Sequence, residues 1–459
     1  MNNRIEHDAL GEVKVPLDAY FGSETMRAVN NFRISGIRVD HDFIKAYVII
    51  KKAAASANAK LGALDHKKSL YIQRACDELL DDKLSDQFPV DVFQAGAGTS
   101  THMNVNEVIA NRALELMGAK KGEYNKIHPN DDVNRSQSTN DTYHAAIHIT
   151  SVMLIKKLLL PSMQKFSDEL KRKAVQTNKI IKVGRTHLQD AVPMKLGDQF
   201  LGYAGTIDEM IKSLNYATKT LQELPIGGTA VGSELNTPVG YKKLVIANIS
   251  KITNITFYPE KNIFAGMQNQ KEELLLVGIL KDIVISINRI ANDLRLMSSG
   301  PRTGIGEIIL PAVQPGSSIM PGKINPSIAE MMNMVCFEVM GCCTTTEHAA
   351  DAGQLELNVF MPIISYNIIF GIKILSNGLD IFTTQCIRGI KPNIEVIQKH
   401  MDENLSVVTA LTPFIGYEKA AKIAQEAYRR KMSIKQICLE KKLLNKKMLD
   451  RILDPRKQV

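Results

Sequence analysis

The chain has 459 residues, 44% of them hydrophobic and 23% charged, with a formal net charge of +9 at pH 7. That is ordinary globular composition, with chain enough for about three domains. No apolar run reaches the roughly 20 residues that span a bilayer, so no membrane partner is expected. The positive excess is spread out, densest at Lys441-Lys442 and Lys446-Lys447, without interleaved aromatics or a nucleic-acid motif. No nucleic acid is expected either; such a surface attracts small dianions. Met1-Asn2-Asn3-Arg4-Ile5-Glu6 has no apolar signal core, and the six cysteines show no CxxC spacing. A cytoplasmic protein with reduced, packed thiols is the expectation.

Residues 1 to about 40 mix turn formers with short apolar pieces. Helical periodicity then begins, with Phe43, Ala46, Tyr47, Ile50 and Ala54 on one face. A second helix is expected over Lys67 to Leu80. The Gly-rich stretch Gln94 to His102 leads into a helix from Asn104 to Met117. Backbone N–H groups and hydroxyls ahead of a helix form an anion site; a simple cap explains Ser100 or Thr101 equally well.

Asn134-Arg135-Ser136-Gln137-Ser138-Thr139-Asn140-Asp141 precedes the next helix and offers more short polar side chains than one cap needs. From about Thr142 to Lys182 one long amphipathic helix is predicted, through Ile147, Val152, Ile155, Leu159, Met163, Phe166 and Leu170, kinked at Pro161. His144 and His148 have i, i+4 spacing, but without HExxH or a nearby acid they are not read as metal ligands. Gly184 to Asp190 is a third polar loop, and Asp190 with Pro193 starts another helix. A helix follows near Tyr241 to Ile252, then the longest, Lys271 to Met297. Pro326 opens the next helix, and another spans Val359 to Gln385.

Between the helix Lys271 to Met297 and the one opened by Pro326 lies Ser298 to Pro326, unusually long for a connection in a compact domain. Its core is Gly316-Ser317-Ser318-Ile319-Met320-Pro321-Gly322-Lys323-Ile324-Asn325-Pro326. Walker A is excluded, because five residues separate the glycines and Ile324 follows the lysine; G-x-S-x-G is absent too. With Ile308, Ile309, Leu310, Ile319, Met320 and Ile324 as expected apolar anchors, the stretch reads as a Gly-hinged lid that brings serines beside a cation.

Long striped helices with few strand signals predict a mainly α fold around a central long-helix bundle. Three domains are expected: 1–141, a central bundle at 142–394 and a small C-terminal helical domain at 395–459. The polar loops lie at helix ends and together offer Thr99, Ser100, Ser138, Thr139, Asn140, Thr186, His187, Ser317, Ser318, Lys323 and Asn325. Many neutral donors with a few cations suit a small dicarboxylate. The chemistry that fits is proton abstraction beside a carboxylate, without a cofactor or metal; activation by a divalent cation stays open.

The residues Gly316 to Pro326 resemble the signature loop of the aspartase/fumarase superfamily. So do Gly98-Thr99-Ser100, Ser138-Thr139-Asn140-Asp141 and Gly184 to Asp190, in the same order, across nearly the whole chain. Asp86-Gln87-Phe88-Pro89-Val90-Asp91 and Ala352-Gly353-Gln354-Leu355-Glu356-Leu357-Asn358-Val359 are similar to aspartase versions, where class II fumarases have a different pattern. The resemblance implies a homotetramer with active sites built from three subunits, and the release of ammonia from L-aspartate to give fumarate. It implies Ser317 as the base, with Ser318, Thr99, Ser138 and Thr139 at the enediolate and the β-carboxylate. Lys323 and Asn325 would take the α-carboxylate; Asn140, Thr186 and His187 would face the amine. Glu330 matches the family glutamate paired with the histidine, although a first-turn helix charge needs no such partner. A fumarate hydratase and a non-catalytic relative are the alternatives. The chain departs from the family at Gly232-Ser233-Glu234-Leu235-Asn236, at His102 in place of asparagine, at Cys342-Cys343, and over Asn262 to Gln270.

Overall fold

The structure, a computed structural model, describes residues 2–459. Seventeen α-helices and four two-stranded ribbons occur among the described residues, so the fold is mainly α, as expected. The chain forms two compact units. One comprises Met1–Leu160, Lys212–Asp282 and Phe337–Leu375; the other comprises Pro161–Ile211, Ile283–Cys336 and Ser376–Val459.

The first unit opens with a hairpin, Asn3–Asp8 against Gly11–Pro16, which the turn-rich composition of this segment did not announce. Its core is the helix His41–Lys60, capped by the Asp40 side chain on the N–H of Asp42. The expected face of Phe43, Ala46, Tyr47, Ile50 and Ala54 is fully buried. The helix His66–Leu80 is capped by Asp65, which accepts from Lys67 and Lys68. The next helix, Thr99–Leu116, begins five residues before the expected Asn104. Gly98 allows this early start: its φ is +86°, and a Cβ there would lie 1.8 Å from the Tyr143 ring. Inside that helix Glu107 is buried and accepts from the N–H groups of Gly22, Glu24 and Thr25 and from the Thr25 hydroxyl. Burial still pushes its carboxyl up to about 7.

Thr139–Gln176 is one helical run of 38 residues, and its expected apolar stripe is fully buried. The break at Pro161 takes the form of a π-helical turn, Ile155–Leu159. Proline offers no N–H and crowds the carbonyl four residues back, and a wider turn absorbs both demands. By length and composition this helix would span a bilayer, but 67% of its apolar window is buried within the protein, as in a core helix.

In the second unit the helix ends at Gln176, short of the expected Lys182, and the expected polar loop is a hairpin, Ile181–Thr186 against Gln189–Lys195. Ile181 and Val183 favour a strand. Lys182 is buried on Glu307, 3.1 Å away. Gly184 has room only for hydrogen, since a Cβ would lie 2.7 Å from the Val192 carbonyl. The helix expected from Asp190 therefore starts at Leu196. Glu307, fully buried, also binds Arg185 at 2.7 Å and faces His400 at 3.3 Å, and Lys182 with Arg185 holds its carboxyl below its ordinary value despite burial. Ser167 donates to Asp208 at 2.6 Å, and Asn333 bonds Asn288 and Arg295. The short C-terminal helices pack Leu411, Ile423, Ile434, Ile437 and Leu449 into their own core.

Candidate functional site

Within the first unit, Ser138, Thr139 and Asn140 open the helix Thr139–Leu154. Ser138 and Asp141 form a reciprocal capping box, so two of the four short polar side chains serve the helix itself. Asp141 is fully buried and also accepts from Gly227 and Thr229, while burial raises its carboxyl to about 6. Asn140 donates to the Ala230 carbonyl at 2.8 Å, and Thr139 lies 2.7 Å from His102 Nδ1. Ser138 faces a cleft of about 660 Å³ with Asn134, Arg135, Thr229 and Ala230. Thr99 and Ser100 line a separate cleft of about 380 Å³ beside Arg27 and Glu24. This unit therefore places Ser138, Thr139 and Asn140 at one helix start, and joins Thr139 to His102 on the helix that Thr99 opens.

In the second unit the serine loop is closed at its neck. Gly316 N–H donates to the Lys323 carbonyl at 2.9 Å, and the Asn325 amide donates to the Gly316 carbonyl at 2.6 Å. Ser317 Oγ accepts from the N–H groups of Met320 (2.9 Å) and Ile319 (3.3 Å). The expected anchors fare unevenly. Ile308 is buried, whereas Ile309, Ile319, Met320 and Ile324 are exposed, because the loop holds its shape by its own backbone bonds rather than by seating in a core. Ser318 and Lys323 are exposed as well.

Thr186 and His187 lie at the hairpin tip. His187 and Leu188 both have positive φ, 55° and 59°, the geometry of a two-residue turn usually given to Asn-Gly. Such backbone in non-glycine residues marks a site under constraint. Glu330 lies 3.7 Å from Arg295; among the described residues no bond joins it to His187.

Two groups escaped the sequence reading. The acid sought near His148 is Glu273, 3.2 Å from its Nε2 and buried with it, brought in from the start of the helix Lys271–Met297. Glu272 joins them to form a set with the donor chemistry for a divalent ion, although protonated His148, and Lys271 on Glu272, already bring positive charge there. Lys51, fully buried, bonds His102 and Asn134; only the presence of histidine at 102 hinted at it. Glu234, the added negative charge of its loop, is paired with Lys242. All six cysteines are free and buried.

Comparison with known proteins places this mainly helical chain, with its serine loop and hydroxyl-rich helix N-termini, in the class of lyases. The family model described as Lyase matches residues 11–341, and that described as Fumarase C C-terminus matches residues 407–458. The chain is a lyase of the aspartase/fumarase superfamily. It is 46% identical to the aspartate ammonia-lyase of Helicobacter pylori strain J99, over 98% of this chain and 97% of that one. It is 44% identical to the class II fumarate hydratase of Thermosynechococcus vestitus, over 98% and 96%. Among solved structures it resembles a fumarate lyase:delta crystallin from Brucella melitensis bound to cobalt (TM-score 0.96, 42% identity, all of both chains). A class II fumarase from Schistosoma mansoni matches with a TM-score of 0.97 at 36% identity, over 99% of this chain and 98% of that one.

Proposed function

We propose that this lyase is an aspartate ammonia-lyase that converts L-aspartate to fumarate and ammonia, reversibly and without a cofactor or resident metal. The observation that carries the chemistry is Ser317 Oγ receiving two backbone N–H groups inside a glycine-necked loop. Donors aimed at an oxygen favour its anion, which is what a serine needs to act as a base. In this reading Ser317 removes the Cβ proton, and the electron pair of that bond moves into the β-carboxylate to give an aci-carboxylate. Ser318 and loop N–H groups, with Thr99, Ser138 and Thr139, hold that dianion. The pair then returns to form the Cα–Cβ double bond as the C–N bond breaks and ammonia leaves past Asn140, Thr186 and His187. Lys323 and Asn325 bind the α-carboxylate, and Glu330 supports His187.

The choice of aspartate rests on Asp86 to Asp91 and Ala352 to Val359. The second segment touches the site: Asn358, fully buried, bonds the carbonyls of Ala349 and Ala350, and the Val359 carbonyl accepts from Ala97 in the turn before Thr99. The second reading is a class II fumarate hydratase, favoured by relatives of that name at 42–44% identity. A cytoplasmic homotetramer is part of the proposal, supported by large apolar side chains exposed on the long helices, Met334 and Phe337 among them.

Fumarate absorbance is the test, with L-aspartate and, separately, L-malate, for wild type and Ser317→Ala. Fumarate from aspartate alone, lost in the variant, is the expected result. Turnover of malate alone assigns the hydratase, and activity that survives Ser317→Ala removes the serine from its role.

A further inference from the structure

We propose that His102 is a positioning residue for the substrate, fixing the Thr139 hydroxyl so that it donates to a carboxylate. The inference rests on the reading above of Thr139 as a carboxylate ligand. His102 is buried, with Nδ1 2.7 Å from Thr139 Oγ1 and Nε2 2.6 Å from both Lys51 Nζ and Asn134 Oδ1. Lys51, also buried, reaches Asn134 Oδ1 at 3.0 Å. The Asn134 amide nitrogen faces the Gln137 carbonyl at 3.3 Å, which orients the side chain.

Counting protons fixes the direction of each bond. A Lys51 ammonium only donates, so it gives hydrogens to Asn134 Oδ1 and His102 Nε2. A neutral imidazole then carries its proton on Nδ1 and donates to Thr139 Oγ1. The Thr139 proton is left free for an incoming anion. The two acceptors Nε2 and Oδ1, 2.6 Å apart, tolerate each other because one ammonium serves both.

Loss of one proton reverses the set. Lys51 passes a proton to Nε2, the Nδ1 proton passes to Thr139 Oγ1, and the original Thr139 proton leaves to solvent. Nε2–H then donates to Asn134, Thr139 donates to Nδ1, and only lone pairs face the substrate. Burial lowers both Lys51 and His102 from their ordinary values, and their mutual repulsion adds to the fall in His102.

The groups facing the pair are Tyr47 on the Lys51 helix, Cys76 on His66–Leu80 and Asp141 on Thr139–Leu154. Tyr47 and Cys76 are pushed up by burial and stay neutral. Asp141 is the anion that supports the Lys51 charge. The reversal therefore follows rising pH, as Lys51, held below its ordinary value by burial, gives up its proton.

The test is steady-state kinetics across pH with whichever dicarboxylate the wild type turns over, for wild type, His102→Asn and His102→Ala. Wild type should show KM rising toward high pH. His102→Ala should raise KM about tenfold at neutral pH with kcat within about threefold, the scale of one hydrogen bond. His102→Asn, which has no tautomer to exchange, should recover most of the neutral-pH KM and lack the alkaline rise. An unchanged KM profile in both variants overturns the inference, as does an alkaline rise retained in His102→Asn.

A second measurement needs no turnover. Nitrogen-15 solid-state spectra of histidine-labelled wild type, with the His102 signal assigned by its loss in His102→Asn, should show Nδ1–H at neutral pH and Nε2–H at high pH. Nε2–H at neutral pH overturns the inference. Failure of wild type on both aspartate and malate instead indicts the proposed function.

Discussion

Gly98 shows how one residue carries both backbone and site. It occupies positive φ immediately before Thr99, and a side chain there would enter the Tyr143 ring. Gly98→Ala is expected to cost at least about 2 kcal/mol, combining backbone strain with overpacking. Gly62 has φ +74° with open space around it, so Gly62→Ala should cost only about 1 kcal/mol, from strain alone. Thermal unfolding of the two variants checks this, and equal shifts would contradict it. At this scale the sequence announced residue types well and partners poorly. Ser138 was legible as a helix start; that Thr139 rests on His102, and His102 on Lys51, depends on a fold that joins separate helices.

At the scale of elements, the pair His148 and Glu273 ties the helix Thr139–Leu154 to the start of Lys271–Met297. Burial alone would lower His148, but the Glu273 carboxylate and the Glu223 carbonyl raise it to about 9. A histidine raised above its unfolded value of about 6.5 contributes stability that is complete below that pH. The contribution is lost as pH climbs from about 6.5 through about 9. Chemical denaturation should therefore show a decline over this window in wild type, and a much flatter one in Glu273→Gln. An unchanged slope in the variant would assign the decline to other groups. His144, one turn away, is held down to about 4 by burial and acts in the opposite sense: its contribution is lost as pH falls below about 6.5. The i, i+4 spacing was visible from sequence, but the acid was not, because it lies on another helix. Element boundaries slipped where local and tertiary preferences competed: the hairpin Ile181–Lys195 replaced a helix end and a loop once Lys182 found Glu307.

For the whole molecule the question is what covers the long helices. Met334 and Phe337 are more than half exposed on Ser327–Asp351, and so are Leu201 and Tyr216 on Leu196–Thr220 and Ile285 on Lys271–Met297. On the same helices a Cβ added at Gly202, Gly205, Gly278 or Gly341 would touch nothing within 4 Å. Periodicity revealed the buried stripes and therefore the mainly α fold, yet it carried no information about a second, exposed apolar face. A soluble helix pays for such a face unless another copy removes it from water. Light scattering is expected to give a mass of about four times 50.9 kDa. The double variant Met334→Asp with Phe337→Asp should fall to smaller species, with helix content by circular dichroism unchanged because neither side chain is buried within its own chain. It should also lose turnover with Ser317 intact, since the proposed site draws Ser317 and the helix N-termini from different subunits. A tetramer that survives both aspartates would place the assembly on other surfaces; smaller species with full activity would confine each active site to one chain.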